Sequence, residues 1–224
     1  MALAGLLLAA GCAGPPRGEV TVLAAASLAE AFAGLGATLS FAGSQQIVAQ
    51  VEAGAPVDVV ATADVESMAR LVRAGLVDEP VEFARNRLAI AVEPGNPRRI
   101  AGLGDLARDG LRVVLADPSV PAGRYAREVL DRAGVRVRPV SLELDVKAVA
   151  RTVAGGEADA GIVYATDVGP PARVDIPDAA NVVASYPVAV VRSAANRPAA
   201  RAFVDRLLGP AGRQALSEHG FVLP

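Results

Sequence analysis

Residues 19–32 read EVTVLAAASLAEAF: an apolar run that suits a buried strand, a break at Ser27, then a pattern that reads as a helix. The same alternation recurs along the chain. VDVVATA (57–63) precedes DVESMARLVRAG (64–75), RVVLAD (112–117) precedes GRYAREVLDRAG (123–134), and AGIVYA spans 160–165. Strands apolar on both faces, each followed by an amphipathic helix, predict an α/β fold built on a mainly parallel sheet. After RNRLAIAVEPGNP (85–97) a second α/β set begins, and YPVAVVRS (186–193) reads as a strand leading back to a terminal helix, RPAARAFVDRLLG (197–209). Two lobes joined by two such crossing segments make a hinged clamp. The boundaries are expected near 19–88 plus 187–224 for lobe one and 89–186 for lobe two.

Composition narrows the function. The 224 residues carry a formal net charge of −2 and no basic excess to draw nucleic acid. Aromatic residues make up 4% of the chain, which argues against base-stacking or sugar-stacking surfaces. Lys147 is the only lysine among the 22 basic residues. The single cysteine, Cys12, follows MALAGLLLAAG, a short apolar run ending in small residues that is too short to span a membrane. LAAGC resembles the lipobox of bacterial lipoproteins, in which the cysteine becomes the lipid-bearing N-terminus. Residues 1–18 are accordingly expected to be signal and tether, and the protein extracytoplasmic and held to the membrane by a lipid on Cys12.

In open α/β sheets ligands sit beyond the carboxyl ends of the strands, where helix N-termini present unpaired N–H groups. Five junctions of that kind stand out. Ser27, with Glu30 three residues on, reads either as a capping box or as a ligand donor. Ser44, before a helix that starts in GSQQIVAQVEAG, offers the same two readings. Pro121-Ala122-Gly123 opens a helix without a capping side chain and leaves N–H groups for an anion, or is a plain turn. Asp145-Val146 starts a helix that Asp145 caps most simply. Tyr164 ends AGIVY, where its hydroxyl bonds locally or faces the cleft. Together they offer neutral donors with no obligatory cation, a set that suits a small, fully ionised oxyanion.

VTVLAAASL, FAGSQQIVAQVEAGAPVDVVATAD, DPSVPAGRYAREVL, DVKAVARTV, AGIVYATDV and YPVAVV resemble, in this order from about residue 19 to the C-terminus, the signature blocks of the extracytoplasmic molybdate-binding proteins of molybdate ABC transporters. The resemblance implies a two-lobed periplasmic-binding-protein fold of type II, with the oxyanion held in the cleft between lobes. It implies ligand contacts from Ser27 and Ser44 (hydroxyl and backbone N–H), Ala122 and Val146 (backbone N–H) and Tyr164 (hydroxyl). Many relatives carry a run of serines where this chain has Gly43-Ser44-Gln45. Asp58 and Asp64 match a family block and are expected to be structural, because a carboxylate beside a dianion repels it. The implied ligand is molybdate or tungstate, the partners a membrane permease and its ATPase, the receptor a monomer without a cofactor.

An enzyme finds little support. His219, the single histidine, lies in the C-terminal SEHGFVLP, and neither a nucleophile elbow nor a phosphate-cradling loop occurs. Another tetrahedral anion is the nearer alternative. A phosphate site would include an acceptor for the proton that phosphate often keeps, and none is assigned at the five junctions. Sulfate shares the charge and shape of molybdate and differs chiefly in size.

Overall fold

The computed structural model describes residues 19–224. Cys12 and the expected leader and tether over residues 1–18 lie outside the described residues. In the opening stretch, Val22, Leu23, Ala24 and Ala25 are all at most 2% exposed, so strand β1 (Thr21–Ala25) is covered on both faces as an interior strand must be. It pairs in parallel with β2 (Thr38–Ala42) on one side and β3 (Val59–Ala61) on the other. The second half repeats the arrangement: β5 (Val113–Ala116) lies between β6 (Ser141–Glu143) and β7 (Ala160–Tyr164), again parallel.

Two antiparallel strands join the halves. The 12-residue β4 (Val81–Val92) pairs with β9 (Val183–Val190) as far as Arg87 and with β7 from Leu88 onward. β9 in turn lies against β3, which gives one continuous order, β2-β1-β3-β9-β4-β7-β5-β6, with the short β8 (Arg173–Asp175) alongside the outer part of β4. The sheet therefore changes from one parallel set to the other at the Arg87/Leu88 step. The fold is that of the two-lobed periplasmic binding proteins.

Helices α2 (Ser44–Glu52) and α3 (Val65–Arg73) cover one face of the first half through Ile47, Val48, Val51, Met68 and Leu71. α6 (Arg197–Leu208) and α7 (Pro210–Glu218) return to that half, where Phe203 meets Phe32 and Leu216 is buried. α4 (Pro121–Arg132) and α5 (Val146–Ala154) pack on the second half. The helix expected after Ser27 is shorter than its pattern suggests. A tight turn over Ala26–Leu28 leads into a four-residue α1 (Ala29–Phe32), and Gly34 and Gly36, both at positive φ, carry the chain away.

Candidate functional site

Each of the five junctions lies at the carboxyl end of a parallel strand, and the structure brings all five to one place. Ser27 follows β1, Ser44 follows β2, Ala122 follows β5, Val146 follows β6, and Tyr164 ends β7. They line a single cavity together with Ala25, Ala26, Ala42, Gly43, Ala63, Val120, Pro121 and Asp145. Its volume is about 10 Å³, on a scale where one water needs roughly 10–15 Å³. No lysine, arginine or histidine is part of that lining.

The two serines differ from their expected capping role. Ser27 sits inside the Ala26–Leu28 turn, which has Ala25 at its N-cap and no side-chain cap. Its Oγ lies 3.0 Å from the Tyr186 hydroxyl, and Glu30, the other half of the supposed capping box, pairs with Lys147 instead. Ser44 is the first residue of α2 rather than its cap; Gly43 occupies the cap in extended conformation. The Ser44 Oγ accepts the Ala63 N–H at 3.0 Å, while Gln46 Oε1 accepts the Gly43 N–H at 3.1 Å. Both hydroxyls instead meet partners distant in sequence, Tyr186 in β9 and Ala63 just after β3.

The other three junctions follow their expected geometry. Pro121 is the first residue of α4, and the Gly123 and Arg124 N–H groups donate to the Val120 carbonyl, so the Ala122 N–H is the one left over in that first turn. Gly123 permits this close seating: a Cβ there would lie 2.1 Å from the Asp117 carbonyl oxygen. Asp145 caps α5 by accepting the Ala148 N–H at 2.8 Å, which leaves the Val146 N–H at the cavity wall. The Tyr164 hydroxyl donates to the Ala63 carbonyl at 3.5 Å, a long bond.

Electrostatics keep the donors neutral. Burial, followed by the charges of nearby Tyr186, Tyr125, Asp64 and Asp167, holds the Tyr164 phenol well above its ordinary pKa; burial does the same for Tyr186. Burial also pushes the Asp167 carboxyl up to about 6, against the pull of Lys147. Asp64 caps α3 through the Ser67 N–H at 3.3 Å and pairs with Arg124; its pKa is raised, burial outweighing both partners. Asp58 accepts the Thr21 N–H at 3.0 Å and tethers the start of β1. Neither of these two carboxylates lines the cavity.

Ala63 lines the cavity and the Tyr186 hydroxyl meets Ser27 Oγ, although sequence reasoning passed over both. Ala63 contributes backbone groups alone, and nothing in the residue type announces that. Tyr186 lies on a strand 159 positions from Ser27 and looks like ordinary core. Among the described residues no group of three or more His, Cys, Asp or Glu side chains could hold a metal ion, and no helix is long and apolar enough to cross a membrane. His219 bonds the Ala215 carbonyl and stays exposed, away from the cavity.

Comparisons with known proteins bear on the family and the fold. The model of a family described as bacterial extracellular solute-binding proteins matches residues 12–222. The molybdate-binding protein ModA of Mycobacterium tuberculosis H37Rv is 39% identical over 230 residues, covering 95% of this chain and 88% of the relative. ModA of Escherichia coli K12 is 30% identical, covering 96% of this chain and 93% of the relative. Among solved structures, the periplasmic molybdate-binding protein of Azotobacter vinelandii superposes with a TM-score of 0.81 at 22% identity, covering 92% of this chain and all of that one. The sulfate-binding protein SubI of M. tuberculosis has the same fold, at a TM-score of 0.72 and 21% identity, covering 91% of this chain and 86% of that one.

Proposed function

The chain belongs to the ModA family of bacterial extracellular solute-binding proteins, and on that premise we propose that it captures molybdate outside the cytoplasm and hands it to an ABC permease driven by its ATPase. The observation that carries this reading is the convergence of Ser27, Ser44, Ala122, Val146 and Tyr164 on one cavity whose lining holds no cationic side chain. Three hydroxyls and the N–H groups of helix first turns can replace the water around a dianion, each charge-assisted bond contributing about 1.5–3 kcal/mol. The site needs no excess positive charge when empty. Tungstate, alike in charge and size, fits the same donors. The receptor performs no chemistry, requires no cofactor and acts as a monomer. Cys12, in its lipobox-like setting, bears the lipid that holds it to the membrane.

Binding and closure belong together. The cavity admits about one water, so a tetrahedral oxyanion enters only when the halves part. Residues 19–88 plus 187–224 move as lobe one and 89–186 as lobe two, bending where β4 and β9 cross. The ion then supplies contacts to both lobes that an open cleft cannot make.

Thermal unfolding of the purified protein with molybdate, tungstate, sulfate and phosphate at equal ionic strength tests the assignment. A ligand at about 100 times its dissociation constant stabilises the fold by roughly 2.7 kcal/mol. The expected result is a clear upward shift with molybdate and tungstate and none with sulfate or phosphate. A shift with sulfate alone keeps the site and replaces its ligand; no shift with any of the four overturns the reading.

A further inference from the structure

Arg124 and Lys147 occupy corresponding places in the half of the molecule built on β5–β7. Each lies in the first turn of a helix whose N-terminus faces the cavity, Arg124 two residues after Ala122 and Lys147 directly after Val146. Each also reaches across to the half built on β1–β3. The Arg124 guanidinium pairs with the Asp64 carboxylate and lies 3.3 Å from Glu66 Oε2. Lys147 Nζ is 2.7 Å from Glu30 Oε2 across the cleft and 3.1 Å from Asp167 Oδ1 within its own half.

The acidic partners are attached to the site as closely as the cations are. Asp64 follows Ala63, whose N–H meets Ser44 Oγ and whose carbonyl meets the Tyr164 hydroxyl. Glu30 comes three residues after Ser27. Asp167 comes three residues after Tyr164 and accepts that residue's N–H at 3.3 Å. Five of the cavity-forming segments are therefore tied together, two by Arg124 and three by Lys147, through cations that do not themselves line the cavity.

We propose that Arg124 and Lys147 are positioning residues: two cation clamps that fasten the halves over the bound anion and hold the helix N-termini at the distance the ligand requires. The inference rests on the oxyanion-receptor reading and extends it from the ligand contacts to the closure that perfects them. The two clamps differ in weight. Asp64 is 2% exposed, so its pair with Arg124 is shielded from water, whereas Glu30 is more than half exposed and its pair with Lys147 is screened. Arg124–Asp64 is the main fastening and Lys147–Glu30 the lesser.

Asp64→Asn is the most informative variant, because asparagine caps α3 as well as aspartate does and removes the charge alone. Calorimetric titration with molybdate and small-angle scattering with and without it give the readouts. Asp64→Asn and Arg124→Met are each expected to weaken binding about 10- to 100-fold, and the double variant to be no worse than either single one. Arg124→Lys restores part of the affinity, and Glu30→Gln costs a few-fold at most. Ligand-free Asp64→Asn has a larger radius of gyration than the ligand-free wild type. The proposal is overturned if wild type binds molybdate and both single variants bind it within twofold, or if the effects of the two multiply. If wild type binds none of the four oxyanions, the receptor reading is what fails; the ligand-free scattering then decides the clamps alone, and equal radii sink them.

Discussion

At the scale of single residues, Ser27 shows how a local reading of a side chain is revised by partners distant in sequence. A serine at the break between strand and helix suggests a cap, with Glu30 completing the box. The hydroxyl instead meets Tyr186, and Glu30 reaches Lys147. With no cap to lose, Ser27→Ala is expected to reduce stability by less than about 1 kcal/mol, the net value of one ordinary hydrogen bond. The Tyr186 hydroxyl keeps its interactions with Asn86 and Tyr164, which limits the penalty further. Loss of a charge-assisted bond to the anion weighs more, about 1.5–3 kcal/mol, and predicts a molybdate dissociation constant about 10- to 100-fold higher. Chemical denaturation and titration of the same preparation separate the two effects. Equal affinity in wild type and variant removes Ser27 from the site.

At the scale of elements, what was legible follows from burial. β1, β3, β5 and β7 are covered on both faces and announce themselves as unbroken apolar runs. β2 lies at the sheet edge with alternating exposure, and the three-residue β6 leaves Leu142 44% exposed, so neither yields such a run. α7 went unread because Gly209 looks like the end of α6, whereas Pro210 immediately starts another helix. The junctions were legible for a different reason: each sits where a strand end or a helix start meets a polar group or a missing side chain, and the topology of a parallel sheet sends all such places to one edge. The partners across the cleft were not, because pairing between Arg124 and Asp64 depends on how the two parallel sets of the sheet face each other. Asp145 belongs to this scale. It caps α5 and so fixes the Val146 N–H at the cavity, and Asp145→Ala is expected to cost about 1 kcal/mol of stability. Because the first turn of α5 frays in that variant, molybdate binding weakens as well, whereas Asp145→Asn preserves both. A stability loss with unchanged affinity would leave Asp145 as a cap and dissociate Val146 from the ligand.

At the scale of the whole molecule, the closeness of the halves is itself a requirement on the sequence, and Gly43 is where it is felt. Its backbone (φ −63°, ψ 143°) suits any residue, so the glycine does not serve a turn. A Cβ at this position would lie 2.7 Å from the Leu144 carbonyl oxygen, which belongs to the opposite half, and 2.5 Å from the end of the Gln45 side chain. The side chain can move; the carbonyl of the facing lobe cannot move without the lobe. Gln45 donates its own Nε2–H to that same carbonyl at 2.9 Å, a further bond across the cleft. Gly43→Ala therefore acts as a wedge that exists only in the closed state. Its expected signature is a fold as stable as wild type or slightly more so, since alanine restricts the unfolded chain, combined with molybdate binding weakened at least about tenfold because the donors of the two halves can no longer meet around one small ion. Scattering should show a ligand-saturated variant that stays more extended than ligand-saturated wild type. If Gly43→Ala binds molybdate as tightly as wild type and closes to the same radius, the lobes in the bound state stand farther apart than in this structure, and the close contact between Gly43 and Leu144 is not part of the binding step.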